Sequence, residues 1–100
     1  MVHTILLIQT GGPDTRTYSD FESVNDMTEG ICHLFEEYLR AQNTKALQIT
    51  YDISQLFDYI DELKDLACLI YSPDTKSYTP HAKDWIKERI YLLLRNSTQA

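Results

Sequence analysis

The chain has 100 residues, and nine Lys and Arg face fifteen Asp and Glu for a formal net charge of −6. That balance argues against a protein that grips nucleic acid by itself, because a phosphate-binding surface needs clustered cations. The length makes one domain, residues 1–100, whose small core gains from association. Hydrophobic residues at 43% and charged residues at 24% are an ordinary globular composition. No apolar run approaches the roughly 20 residues of a membrane span. Met1 leads straight into an apolar segment with no basic leader, so the expectation is a soluble chain of the nucleus or cytoplasm, with no membrane partner.

His3-Thr4-Ile5-Leu6-Leu7-Ile8-Gln9 opens the chain, and Thr4–Gln9 reads as a strand that is apolar on both faces. Alternation sends Ile5 and Leu7 one way and Leu6 and Ile8 the other. Gly11-Gly12-Pro13-Asp14 is a turn, and Arg16–Phe21 a second strand, so the pair predicts an antiparallel hairpin. Ser23 opens the first helix with Asp26 three residues on, in the manner of a capping box. Val24, Met27, Ile31, Leu34, Phe35 and Tyr38 make its apolar stripe. Gly30 interrupts that helix at about 1 kcal/mol against Ala, which suggests the close approach of another backbone.

Asn43–Gln48 has no period and is expected to be a mobile loop. Asp52 caps a second helix with Ile53, Leu56, Phe57, Ile60 and Leu63 on one face and Asp58, Asp61, Glu62 and Asp65 on the other. Leu66–Tyr71 is a third strand, also apolar on both faces. Ser72–Thr75 turns the chain into a short fourth strand over Lys76–Thr79. Thr79-Pro80 then reads as the cap and first turn of a last helix, with Trp85, Ile86, Ile90, Leu93 and Leu94 as its stripe. Asn96–Ala100 is expected to fray. The order β-β-α-α-β-β-α predicts an α+β fold, a four-stranded antiparallel sheet with three amphipathic helices on one face. The second sheet face then carries Ile5, Leu7, Tyr18, Tyr71 and Tyr78. So apolar a face on so short a chain implies a partner, most simply a second copy.

The chain resembles the enhancer of rudimentary homolog family. The resemblance rests on His3–Gln9, Arg16-Thr17-Tyr18, Glu22-Ser23-Val24-Asn25, Ile49–Asp58 and Lys83-Asp84-Trp85-Ile86-Lys87, in order and at matching spacing over nearly the whole chain. It departs in the Gly11–Thr15 loop, the Asn43–Leu47 loop and the tail, which bear on partner choice more than on fold. The resemblance implies a homodimer formed through the exposed sheet faces, with Ile5 and Leu7 at its core. It also implies a non-enzymatic adaptor that binds short linear segments of RNA-processing proteins in RNA decay, splicing or small-RNA maturation. The competing readings are a small enzyme with a ligand pocket at the dimer seam and a direct nucleic-acid binder.

Thr17 and Ser23 each precede an acid by three residues, and the resemblance implies casein kinase II sites at both; the plain alternatives are a strand threonine and a helix cap. Phosphate on Thr17 is expected beside the dimer face, where it would weaken dimerisation. Tyr51, Asp52 and Phe57 sit at a helix entry beside a loop, a common place for ligand contacts, and are the candidate partner-binding residues. His3, His33 and His81 lie in separate elements and lack metal-ligand spacing. Cys32 and Cys68 read as buried free thiols, and Trp85 as a core anchor. No nucleophile elbow or phosphate loop is present, so neither catalytic residues nor a cofactor are expected.

Overall fold

The structure, a computed structural model, describes residues 2–42 and 51–98, with side chains described as far as Arg95. The expected Asn43–Gln48 loop lies outside the described residues. Four strands, β1 (Thr4–Gln9), β2 (Arg16–Phe21), β3 (Asp65–Ser72) and β4 (Ser77–His81), form one antiparallel sheet in the order β2-β1-β3-β4. Three helices, α1 (Val24–Gln42), α2 (Ile53–Glu62) and α3 (Lys83–Thr98), complete the α+β fold, with α3 continuing into the expected tail.

Alternation decides what the sheet gives to the core. Thr4, Leu6, Leu66 and Cys68 are buried and meet Met27, Ile31 and Phe35 of α1, Leu56 and Ile60 of α2, and Ile86 and Ile90 of α3. Every helix therefore adds its apolar stripe to one shared layer against one sheet face. The buried Thr4 and Thr28 hydroxyls donate to the Val2 and Asn25 carbonyls, so neither is left unsatisfied. On α1 the buried stripe is rotated from the expected one. Thr28 and Cys32 are inside, whereas Leu34 and Tyr38 are 37% and 42% exposed.

Local chemistry sets the helix starts. Ser23 Oγ accepts from the Asp26 N–H at 3.1 Å. Asp52 and Gln55 form a full capping box: Asp52 Oδ1 accepts the Gln55 N–H at 3.0 Å, and Gln55 Oε1 accepts the Asp52 N–H at 2.9 Å. The Ser54 hydroxyl also donates to Asp52 Oδ1, and these bonds hold the carboxyl below its ordinary 3.8. A depressed folded-state pKa adds stability that is present above the unfolded value and is lost as pH falls through the folded one. Asp52→Ala is therefore expected to lower Tm at neutral pH, by an amount that shrinks as pH falls below the ordinary 3.8. Calorimetry across that range checks this; a pH-independent difference contradicts it.

Two expectations about β4 and its flanks change. The last helix starts at Lys83, and Pro80 lies inside β4 opposite Leu69. A Thr-Pro pair is locally a good helix start, but β4 is an edge strand, where a missing N–H is tolerated. Lys76 belongs to the turn rather than the strand: its φ of 54° is left-handed, and its N–H donates to the Ser72 carbonyl at 2.7 Å.

Gly30 makes room for a ring rather than a backbone. A Cβ there would sit 2.8 Å from Cε1 and Cζ of Phe21. Gly30→Ala should thus be destabilising in the wild type despite its gain of about 1 kcal/mol in helix propensity. In a Phe21→Ala background the same change should be stabilising. A double-mutant cycle in urea measures this change of sign, and additivity would rule out the clash.

Candidate functional site

The sheet face turned away from the helices is the site with the clearest composition. Strand register fixes its members. Leu7 pairs with Tyr18 on one side and Ala67 on the other, and Ile5 pairs with Asp20 and Leu69. Leu69 continues to Pro80, and Tyr71 to Tyr78. Because paired residues share a face, Ile5, Leu7, Tyr18, Tyr71 and Tyr78 all lie on the same side, as the alternation predicts. Ala67 and Leu69 join them by alternation with Tyr71, a step the sequence reading left out, and so does Pro80, which it had placed in the last helix.

None of the described helices covers this face. Ile5, Leu7, Leu69 and Tyr71 are half-buried by their neighbours, while Tyr18 is 71% and Tyr78 41% exposed. Polar groups bracket the apolar middle. At one end the Tyr78 hydroxyl lies 2.6 Å from His3 Nδ1, and His3 Nε2 lies 3.5 Å from Asp20 Oδ2. A proton on Nε2 serves both contacts, with Tyr78 donating to Nδ1 and Nε2–H facing Asp20. Tyr78 also packs on Tyr71, with ring centroids 5.3 Å apart. At the other end Arg16 Nε donates to Gln9 Oε1 at 3.0 Å, beside Asp65, around a shallow cleft of about 210 Å³. An apolar centre with a polar margin is the anatomy of a protein–protein interface.

The remaining candidate residues separate. Tyr51 packs edge-on against Phe35 at 4.9 Å, donates to Glu36 at 3.1 Å, and lines a cleft with Cys32, His33, Leu93 and Leu94. Asp52 is the α2 cap already described. Phe57 faces α3, with Lys87 Nζ 5.6 Å from its ring centroid. Lys87 also pairs with Asp61, and Lys83 Nζ donates to the Leu63 carbonyl at 2.6 Å, which ties the start of α3 to the end of α2. Tyr51 and Phe57 thus meet different neighbours among the described residues.

Thr17 is exposed, but its partner Ile8 belongs to the helix side of the sheet. A phosphate on Thr17 therefore projects away from the open face, contrary to the expected position beside it. Ser23 is half-buried, with its Oγ engaged as the α1 cap.

Both cysteines are free and buried. Burial pushes the Cys68 thiol up to about 11, and burial together with the nearby Glu36 raises Cys32. Trp85 packs on the core and stacks on His81, centroids 4.0 Å apart. Among the described residues no three His, Cys, Asp or Glu converge as metal ligands, and no helix is long and apolar enough to cross a membrane.

Comparison with known proteins places this geometry in a family. The family model described as enhancer of rudimentary matches residues 1–100. The chain is 57% identical over 98 residues to the protein enhancer of rudimentary of Drosophila virilis, covering 97% of this chain and 94% of that one. It is 55% identical to the enhancer of rudimentary homolog of Echinococcus multilocularis, with 96% of each chain covered. Identity to the Dictyostelium discoideum homolog is 48%, over 99% of this chain and 100% of the relative. The chain belongs to the enhancer of rudimentary family.

Proposed function

We propose that the protein is a non-enzymatic homodimeric adaptor, joined through its open sheet faces, that binds short linear segments of RNA-processing proteins. The observation that carries this reading is the uncovered apolar face with its bracketing polar pairs. A two-fold interface brings the same patch together from both copies, and a pair of copies offers two equivalent docking sites, which raises avidity for a partner held at two points. The RNA-processing class, in decay, splicing or small-RNA maturation, rests on the family resemblance of the sequence. So does a place in the nucleus or cytoplasm.

Several features favour binding over catalysis. The clefts that line Tyr18, Tyr51 and Tyr59 hold about 210 to 250 Å³, below the roughly 300 Å³ at which small-molecule pockets begin. Neither thiol is activated, since both are raised rather than lowered. Direct grip on nucleic acid is disfavoured by the charge of −6.

Affinity capture from native extract, with wild type beside Ile5→Arg/Leu7→Arg and identification of what is retained, tests the reading. RNA-processing proteins held by the wild type and lost from the folded variant support a dimeric adaptor. The same proteins held by a monomeric variant would put docking on a single subunit, and no enrichment at all would end the adaptor reading.

A further inference from the structure

The helix-bearing side carries a second, smaller feature whose polar groups find no hydrogen-bond or ion-pair partner among the described residues. Tyr38 of α1 and Tyr59 of α2 lie with ring centroids 5.1 Å apart at 43°, and both rest on buried Phe35 at 6.2 and 5.1 Å. Asp58 and Glu62, one turn apart on α2, stand beside them around a cleft of about 250 Å³. A second cleft of about 200 Å³ shares Tyr38, Tyr59 and Glu62 and ends at Thr10 and Leu63. Among the described residues neither carboxylate has an ion pair and neither phenol a hydrogen-bond partner. Asp61, on another side of the same helix, is by contrast paired with Lys87.

We propose that this notch between α1 and α2 receives an arginine side chain of a bound protein segment. Two tyrosine faces and two unpaired carboxylates call for a flat cation. A guanidinium stacks on a ring while its forked N–H groups reach carboxylate and phenol oxygens together; an ammonium offers a point charge and no plane. Burial and the neighbouring Tyr38 raise the Tyr59 phenol, so at neutral pH it stays uncharged and can accept a guanidinium N–H. The space suits one side chain better than a metabolite, and the net charge of −6 draws basic segments toward it. A metal is a poor occupant, since no third ligand joins the two acids among the described residues. The inference deepens the adaptor reading and rests on it for the source of the arginine.

The test is an NMR titration of the full chain, by amide shifts at physiological salt, with N-acetyl-arginine methylamide, its neutral isostere N-acetyl-citrulline methylamide, and the lysine equivalent. The arginine compound should move the amides of Tyr38, Asp58, Tyr59 and Glu62 and bind at least fivefold tighter than the other two. Asp58→Asn/Glu62→Gln and, separately, Tyr38→Ala should each weaken it at least fivefold. All three positions are exposed, so the variants should keep the wild-type spectrum elsewhere. Equal binding of citrulline or lysine, shifts scattered over the acidic surface, or insensitivity to both variants would overturn the proposal. Those outcomes leave partner capture by the dimer untouched. Loss of capture with arginine binding intact removes the adaptor reading and not the notch.

Discussion

Ile5→Arg/Leu7→Arg is expected to convert a dimer into a monomer that keeps its helices and sheet. Both side chains point away from the core layer, and their strand neighbours Leu6 and Ile8 carry the intramolecular packing. Folding of one subunit therefore loses little. The interface loses much more. Ile5 and Leu7 are half-buried already, so completing their burial contributes roughly 1 kcal/mol per side chain, counted twice across a two-fold axis. Arginine removes that gain and brings like charges together in a low-dielectric seam, at several kcal/mol for each unpaired ion. At 1.4 kcal/mol per decade the dimer constant should weaken by more than about a thousandfold. Sedimentation of the variant with its circular dichroism reads both parts of the claim. A soluble dimer of normal stability would sink the interface assignment.

Phe35→Ala should have the largest effect on stability of any single truncation in α1. Its ring is 3% exposed and touches three tyrosines, Tyr38, Tyr51 and Tyr59. Through Tyr51 and Tyr59 it links α1 to the entry and the middle of α2. Truncating a buried phenylalanine costs about 3–5 kcal/mol, because the cavity collapses only partly. Against a total of roughly 5–15 kcal/mol for a small domain, that leaves a marginal protein. Urea denaturation at fixed protein concentration should show a lower midpoint with an unchanged slope. Phe35→Leu, which fills most of that cavity, should recover more than half of the loss. A cost for Phe35→Ala below about 1 kcal/mol would mean that the aromatic cluster is surface decoration rather than core.

Much of the architecture was legible because this chain's local signals agree with its tertiary structure. Strict alternation in Thr4–Gln9 placed Ile5 and Leu7 on one face, and long helical periods placed α1, α2 and α3. Several of the failures concern the sheet. Ala67 and Leu69 alternate with Tyr71 and share its face, so alternation alone extends the open face to both. The Thr79-Pro80 pair read as a helix start until its edge position was known. Thr17 is expected beside the proposed dimer face, whereas its pairing with Ile8 turns it to the helix side. Leu34 and Tyr38 fit a helical stripe on paper, yet α1 is rotated so that Thr28, Cys32 and Phe35 face the layer beneath it and both are left exposed. That rotation leaves Tyr38 beside Tyr59. The notch was correspondingly invisible in the sequence, where Asp58 and Glu62 read only as a solvated helix face.

The open face remains the centre of the account, and the mass of the wild-type protein in solution tests it most directly. Sedimentation equilibrium across a range of micromolar concentrations should return twice the 11.7 kDa chain mass, with no monomer until high dilution. A single species at the mass of one chain throughout that range would contradict it, and would mean that Ile5, Leu7, Tyr18, Tyr71 and Tyr78 await a different protein.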